Sequence, residues 1–111
     1  MSEQVLLAFS TFPRAELAEE ISRQLIEERL VACANILPPV CSLYRWEGKI
    51  ESANETLVLF KTTAGQFADL RSKLRALHPY DVPELVCVNV TDGLPDYLRW
   101  VVESCGRELR T

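Results

Sequence analysis

The apolar positions change rhythm several times along this chain, and each change marks an element. Val5-Leu6-Leu7-Ala8-Phe9 is an unbroken apolar run closed by Ser10-Thr11 and Pro13, the pattern of a strand buried on both faces. Thr11 can cap the helix that follows, and Pro13 suits its first turn. Leu17, Ala18, Ile21 and Leu25 then recur at helical spacing, while Glu16, Glu19, Glu20, Arg23 and Glu27 face away. That is an amphipathic helix with a solvated charged face. Val31 to Trp46 reads as a long second strand interrupted near Pro38-Pro39. Two prolines cannot donate ladder hydrogen bonds, so they imply a bulge or an edge position. Glu47-Gly48 makes a tight turn, with Gly supplying a positive φ. A third strand returns, irregular around Ser52-Ala53-Asn54 and strong from Thr56 to Lys61.

Thr63-x-x-Gln66 has the form of a capping box and opens a second helix. Its Phe67, Leu70, Leu74 and Leu77 sit at core spacing, and it must stop before Pro79. Leu85 to Val90 predicts a fourth strand, broken by Asp92-Gly93 and Pro95. Tyr97 to Cys105 predicts a third helix with Leu98, Val101, Val102 and Cys105 inward. The order β-α-β-β-α-β-α indicates an α+β fold, a ferredoxin-like βαββαβ sandwich with an extra C-terminal helix. One antiparallel sheet is covered on one face by helices. The hairpin of the second and third strands is overlong: it spans residues 31–62 around one turn, where a typical strand has about 5–6 residues. Its tip carries Leu43, Tyr44, Trp46 and Ile50. Either the hairpin bends back over the domain's own open sheet face, or it pairs with a neighbouring subunit. The second reading is preferred, because a lone monomer would expose a large apolar surface.

Composition narrows what such a fold can do. The 111 residues fit one domain over 1–111, with 48% hydrophobic and 25% charged positions. A net charge of -4 and a pI near 5.0 argue against a nucleic-acid partner. The N-terminus is acidic, its apolar run is too short for a signal core, and no stretch approaches the ~20 apolar residues of a membrane span. Cytoplasmic residence with reduced thiols is expected. Cys33, Cys41, Cys87 and Cys105 show no C-x-x-C spacing and no nearby His at zinc-finger distance, so they read as buried small hydrophobes.

Little of the chain reads as catalytic. There is one histidine, no Gly-x-Ser-x-Gly elbow, and the glycines are scattered at 48, 65, 93 and 106 with no phosphate loop. A role other than catalysis, with no required cofactor, is expected. The one polar cluster is His78-Pro79-Tyr80-Asp81-Val82-Pro83-Glu84, held stiff by its prolines. His78 is the candidate metal ligand, since imidazole binds copper, zinc and nickel and carboxylates can complete a site. The plainer reading makes His78 a helix C-cap.

Five ordered segments carry a resemblance. They are Glu28 to Ile36, Ser42 to Lys49, Lys61-Thr62-Thr63, His78 to Glu84 and Tyr97 to Trp100. Over nearly its whole length the sequence resembles the divalent-cation tolerance (CutA) family. That resemblance implies a ferredoxin-like fold and a tight homotrimer built by inter-subunit strand pairing, similar in outline to PII-type signalling proteins. It also implies a link to tolerance of copper and other divalent metals. The family's copper site resembles a first-strand cysteine plus two adjacent histidines. Here His78 matches the second histidine, while Ser10 and Leu77 stand at the other two positions, so copper binding is expected to be weak.

Two functional readings follow. The first is a metal-response protein that binds divalent ions weakly through His78 and carboxylates. The second is a trimeric small-molecule sensor with clefts between subunits, lined by Cys33, Tyr44, Trp46, Lys61, Tyr80 and Glu84. An aromatic wall with one Lys and one Glu suits an anionic or zwitterionic ligand. Alternatively Tyr44 and Trp46 are interface anchors and Lys61 pairs with Glu84. A trimer that only scaffolds other proteins fits the sequence equally well.

Overall fold

The computed structural model describes residues 3–106, and within them the predicted order of elements is observed with one split. β1 (Val5–Phe12) leads to α1 (Ala15–Glu27), then β2 (Cys33–Ile36), β3 (Val40–Trp46) and β4 (Lys49–Thr63). α2 (Ala64–Leu77), β5 (Val86–Asn89) and α3 (Pro95–Ser104) complete the chain. The split falls at Leu37-Pro38-Pro39, which divides the expected second strand into β2 and β3. Leu37 N–H still reaches the Leu57 carbonyl at 2.9 Å, and the prolines after it have no N–H to give. Both pieces pair with β4, β2 against residues 58–61 and β3 against residues 49–55.

The sheet is antiparallel in the order β2-β4-β1-β5, the ferredoxin-like arrangement. β3 and the first half of β4 leave it as a two-stranded ribbon. At the ribbon's tip Glu47 and Gly48 both have positive φ, 50° and 82°, as a two-residue type I′ turn requires. The molecule is accordingly elongated, 53 × 26 × 23 Å.

Register explains where the core sits. Ala8 lies opposite Phe60 and Ser10 opposite Val58, and period-two alternation puts them on one face. That face packs beneath α1 and α2, where Phe12, Leu25, Phe60, Leu70 and Leu74 are essentially inaccessible. Each such side chain contributes about 1.5–3 kcal/mol of burial free energy. Val5, Leu7 and Phe9 point to the other face. The expectation of helices on one face alone needs correcting, because α3 packs Val101 and Cys105 against Val5 and Ala32. α3 covers only one end of that second face. Val86 and Val88 remain about half exposed, at 53% and 50%.

Several local signals resolve differently from the sequence pattern. Thr11 caps nothing: β1 runs on through Phe12, and Arg14 stands at the N-cap of α1 without a side-chain bond. Thr63 does occupy the N-cap of α2, but its side chain makes no capping bond. The residues just before β1 supply the acceptors instead, the Gln4 carbonyl to Ala64 N–H (2.8 Å) and the Glu3 carboxylate to Gly65 N–H. Gln66 is freed to donate to the Arg29 carbonyl at 3.2 Å. Pro95 starts α3 at its first turn, where a missing N–H costs nothing.

α1 ends in a Schellman motif. Leu30 N–H reaches the Leu25 carbonyl and Arg29 N–H that of Ile26, each at 3.0 Å. Arg29 holds the left-handed position (φ 60°) usually given to glycine. Its guanidinium compensates by donating to the carbonyls of Gly106 (2.6 Å) and Glu103 (2.7 Å), which pins the end of α3. The cysteine expectation is also corrected. All four are free thiols, but only Cys105 is buried; Cys33 and Cys87 are half-buried, and Cys41 is exposed on the ribbon. Apolar neighbours in sequence do not bury a residue on a ribbon that leaves the body. Among the described residues, no helix is long and apolar enough to cross a membrane.

Candidate functional site

The site begins with His78, where α2 ends. Its backbone N–H closes the helix on the Leu74 carbonyl at 2.9 Å, so it is indeed a C-cap residue. The side chain turns inward, only 7% exposed. Its ring lies between Phe12 (4.8 Å between centroids) and Tyr80 (4.7 Å). Nε2 is 2.8 Å from the Thr11 carbonyl, and Nδ1 is 3.2 Å from Tyr80 N–H. A carbonyl can only accept and an amide N–H can only donate. Nε2 therefore carries the proton and Nδ1 offers its lone pair to the amide, which describes a neutral imidazole. A metal ion at His78 has to displace one of these two bonds.

The imidazole fixes the turn that follows, and the turn aims Tyr80. The Tyr80 hydroxyl donates to Glu55 Oε2 at 2.6 Å. Burial, then the bond to Glu55 and the negative charge beside it, push the phenol far above its ordinary range. Farther along the turn, the Glu84 carbonyl accepts from the buried Ser10 hydroxyl at 2.7 Å. Both ends of residues 78–84 are thus tied to β1, one through Thr11 and the other through Ser10.

Between this turn and one side of the ribbon, from Glu55 at its base to Trp46 near its tip, lies a cleft of about 600 Å³. Ser42, Tyr44 and Trp46 alternate along β3, which places all three on one side of the ribbon, and all three line the cleft. Glu55 closes it from β4, and Tyr80, Asp81, Val82 and Glu84 close it from the turn. Within this one chain, four of the six residues expected to line a cleft between subunits come together: Tyr44, Trp46, Tyr80 and Glu84.

Cys33 and Lys61 do not join them. They are cross-strand partners on β2 and β4, where the Lys61 ammonium donates to Asn35 Oδ1. Cys33 Sγ lies 3.8 Å from the Tyr97 hydroxyl, and Tyr97 stacks obliquely on Trp100 at 5.6 Å. Burial and the neighbouring thiol push the Tyr97 phenol up as well. The alternative, a Lys61–Glu84 pair, is not formed within the chain; among the described residues the ion pairs are Arg23–Glu19, Lys73–Glu28 and Arg99–Asp96. The charged groups of the cleft are consequently all acidic.

Glu55 is the residue that sequence reasoning missed. It precedes the strong run Thr56 to Lys61 and looks like the solvated start of a strand. Only the fold brings Tyr80 over it and leaves it 9% exposed. Of the metal-site positions, Ser10 is committed to the Glu84 carbonyl and Leu77 packs against the main core. Among the described residues, no group of three or more His, Cys, Asp or Glu side chains is arranged to hold a metal ion.

Comparison with known proteins agrees with this architecture. The profile of the CutA1 divalent ion tolerance protein family matches residues 6–104. The divalent-cation tolerance protein CutA of Thermus thermophilus is 44% identical over 106 residues, 96% of this chain and all of that protein. Its solved structure superposes with a TM-score of 0.87 over 95% of this chain and 100% of that one. Mouse Protein CutA is 42% identical over 87% of this chain, which spans 55% of that longer protein. A CutA structure from Archaeoglobus fulgidus, described as periplasmic, is 37% identical with a TM-score of 0.87, covering 90% of this chain and 97% of that one.

Proposed function

The chain belongs to the CutA1 divalent ion tolerance family, and from that premise we propose that it serves divalent-ion tolerance, copper included, as a cytoplasmic homotrimer. In this reading it answers to a small ligand held in the cleft beneath its ribbon. Direct metal contact is confined to weak binding at His78, and no reaction is catalysed. The four free thiols, spread over separate elements, support the cytoplasmic assignment.

The observation that carries the proposal is the ribbon. Leu43 and Ile50 are 72% and 74% exposed on it, and β3 pairs on one side only, with β4. An apolar strand edge of this kind is a template for another chain. The open sheet face, with Val86 and Val88 uncovered, offers a second surface for the same assembly. Closed three-fold pairing buries both, with the same patches used on every copy.

Weak metal binding follows from His78. Its one lone pair is engaged by Tyr80 N–H, and Ser10 and Leu77 supply neither thiolate nor imidazole. Copper affinity is expected in the micromolar range or weaker, about −8 kcal/mol or less favourable. Sedimentation equilibrium tests the assembly, and a monomer at micromolar concentration would sink it. Calorimetric copper titration at pH 7.5, beside a His78→Ala variant, tests the metal reading. Nanomolar affinity that survives the substitution would move the site elsewhere.

A further inference from the structure

We infer that the cleft beneath the ribbon takes an organic cation with N–H donors, an alkylammonium or alkylguanidinium, and not the anion or zwitterion that Lys61 and Glu84 suggested from sequence. The inference rests on the cleft being a ligand site. Its first support is Glu55, only 9% exposed, whose Oε2 accepts from one neutral donor, the Tyr80 hydroxyl. A carboxylate has about four lone-pair positions, and a buried one is costly without a counter-charge. No Lys or Arg among the described residues forms an ion pair with it, and none lines the cleft.

The second support is the wall. Tyr44, Trp46 and Tyr80 present three aromatic side chains to the same space, and aromatic faces attract cations, tryptophan best of all. The third is the mouth. Asp81 and Glu84 sit exposed on the turn and add negative potential that draws a cation in. An anion would meet three carboxylates and no base of the same chain. A bare divalent ion is a poor alternative, since these carboxylates do not converge as a metal-binding group. A ligand with directional N–H donors and an apolar body satisfies Glu55 and covers the rings at once.

Butylamine, butylguanidinium and butyrate share one tail and differ in head group, so calorimetric titration of the assembled protein with each isolates the charge preference. Both cations should bind and butyrate should not, with affinity falling as salt is raised. Glu55→Gln keeps an acceptor for Tyr80 but removes the charge, and should weaken cation binding at least ten-fold. If that variant fails to assemble, Asp81→Asn with Glu84→Gln, both surface changes, should weaken it several-fold. Butyrate binding as tightly as butylamine would overturn the cation assignment while leaving the cleft a ligand site. Binding of neither charge would overturn the cleft reading with it. Cation binding unchanged in the charge-neutral variants would place the cation elsewhere and sink the inference.

Discussion

The body of the sheet and the ribbon are built from the same kind of sequence and meet opposite fates. Along the second half of β4, Val58 and Phe60 are inaccessible beneath the helices; at its start, Ile50 is 74% exposed. Both stretches belong to one continuous strand, Lys49–Thr63, and both carry large apolar residues. What differs is what the fold puts opposite them. α1 and α2 close over the body, whereas the ribbon has run past every other element. Apolar side chains are stabilised by what covers them, so the face beneath α1 and α2 is closed within one chain, whereas the ribbon and the sheet face carrying Val86 and Val88 are left open.

The sharpest way to break this contrast is to damage the body. Phe60→Ala removes a fully buried ring shared by β4 and the main core, and should destabilise by about 3–5 kcal/mol in chemical denaturation. A loss below about 1 kcal/mol would mean that the body is not the source of stability. Next comes the ribbon. Leu43→Ser with Ile50→Ser changes residues that this chain leaves in solvent. Secondary structure should persist while the proposed trimer dissociates in sedimentation, and the thermal midpoint should lose its dependence on protein concentration. Unfolding of the single chain, with no change in assembly, would show that the ribbon packs on its own body.

The smallest effect concerns the seam between the two regions, where Tyr80 of the body meets Glu55 at the ribbon's base. Burial, the bond to Glu55 and that carboxylate's charge raise the Tyr80 phenol above its ordinary value. The fold therefore favours the neutral phenol. Its contribution is fully present below about pH 10, where an unfolded tyrosine ionises, and is lost as pH climbs beyond that. Tyr80→Phe should make stability fall less steeply above pH 10, with the highest step missing from the absorbance titration of the phenolate. An unchanged alkaline slope would argue against the Tyr80–Glu55 bond.

Much of the architecture was legible in the residues alone, because it is encoded in local periodicity. Leu17, Ala18, Ile21 and Leu25 announce α1, Phe67, Leu70, Leu74 and Leu77 announce α2, and all of them pack in or against the core as expected. The prolines at 38 and 39 mark where the long strand divides, since a residue without N–H interrupts a ladder wherever it stands. Glu47-Gly48 marks the turn for an equally local reason.

Charge and contact between distant segments were not legible. Local sequence offered Thr63 as a cap, but Glu3 and Gln4, sixty residues away, supply it. Sequence grouped Lys61 with Glu84, but alternation and register turned Lys61 toward Asn35. Glu55 gave no signal at all. Element type, turn position and the overlong hairpin depend on intervals of two to four residues, which the chain carries with it. The sign of the cleft's charge, the tautomer of His78 and the burial of Glu55 depend on which segments face each other across the fold. Only tertiary packing decides that, because these energies arise between groups that sequence spacing does not relate.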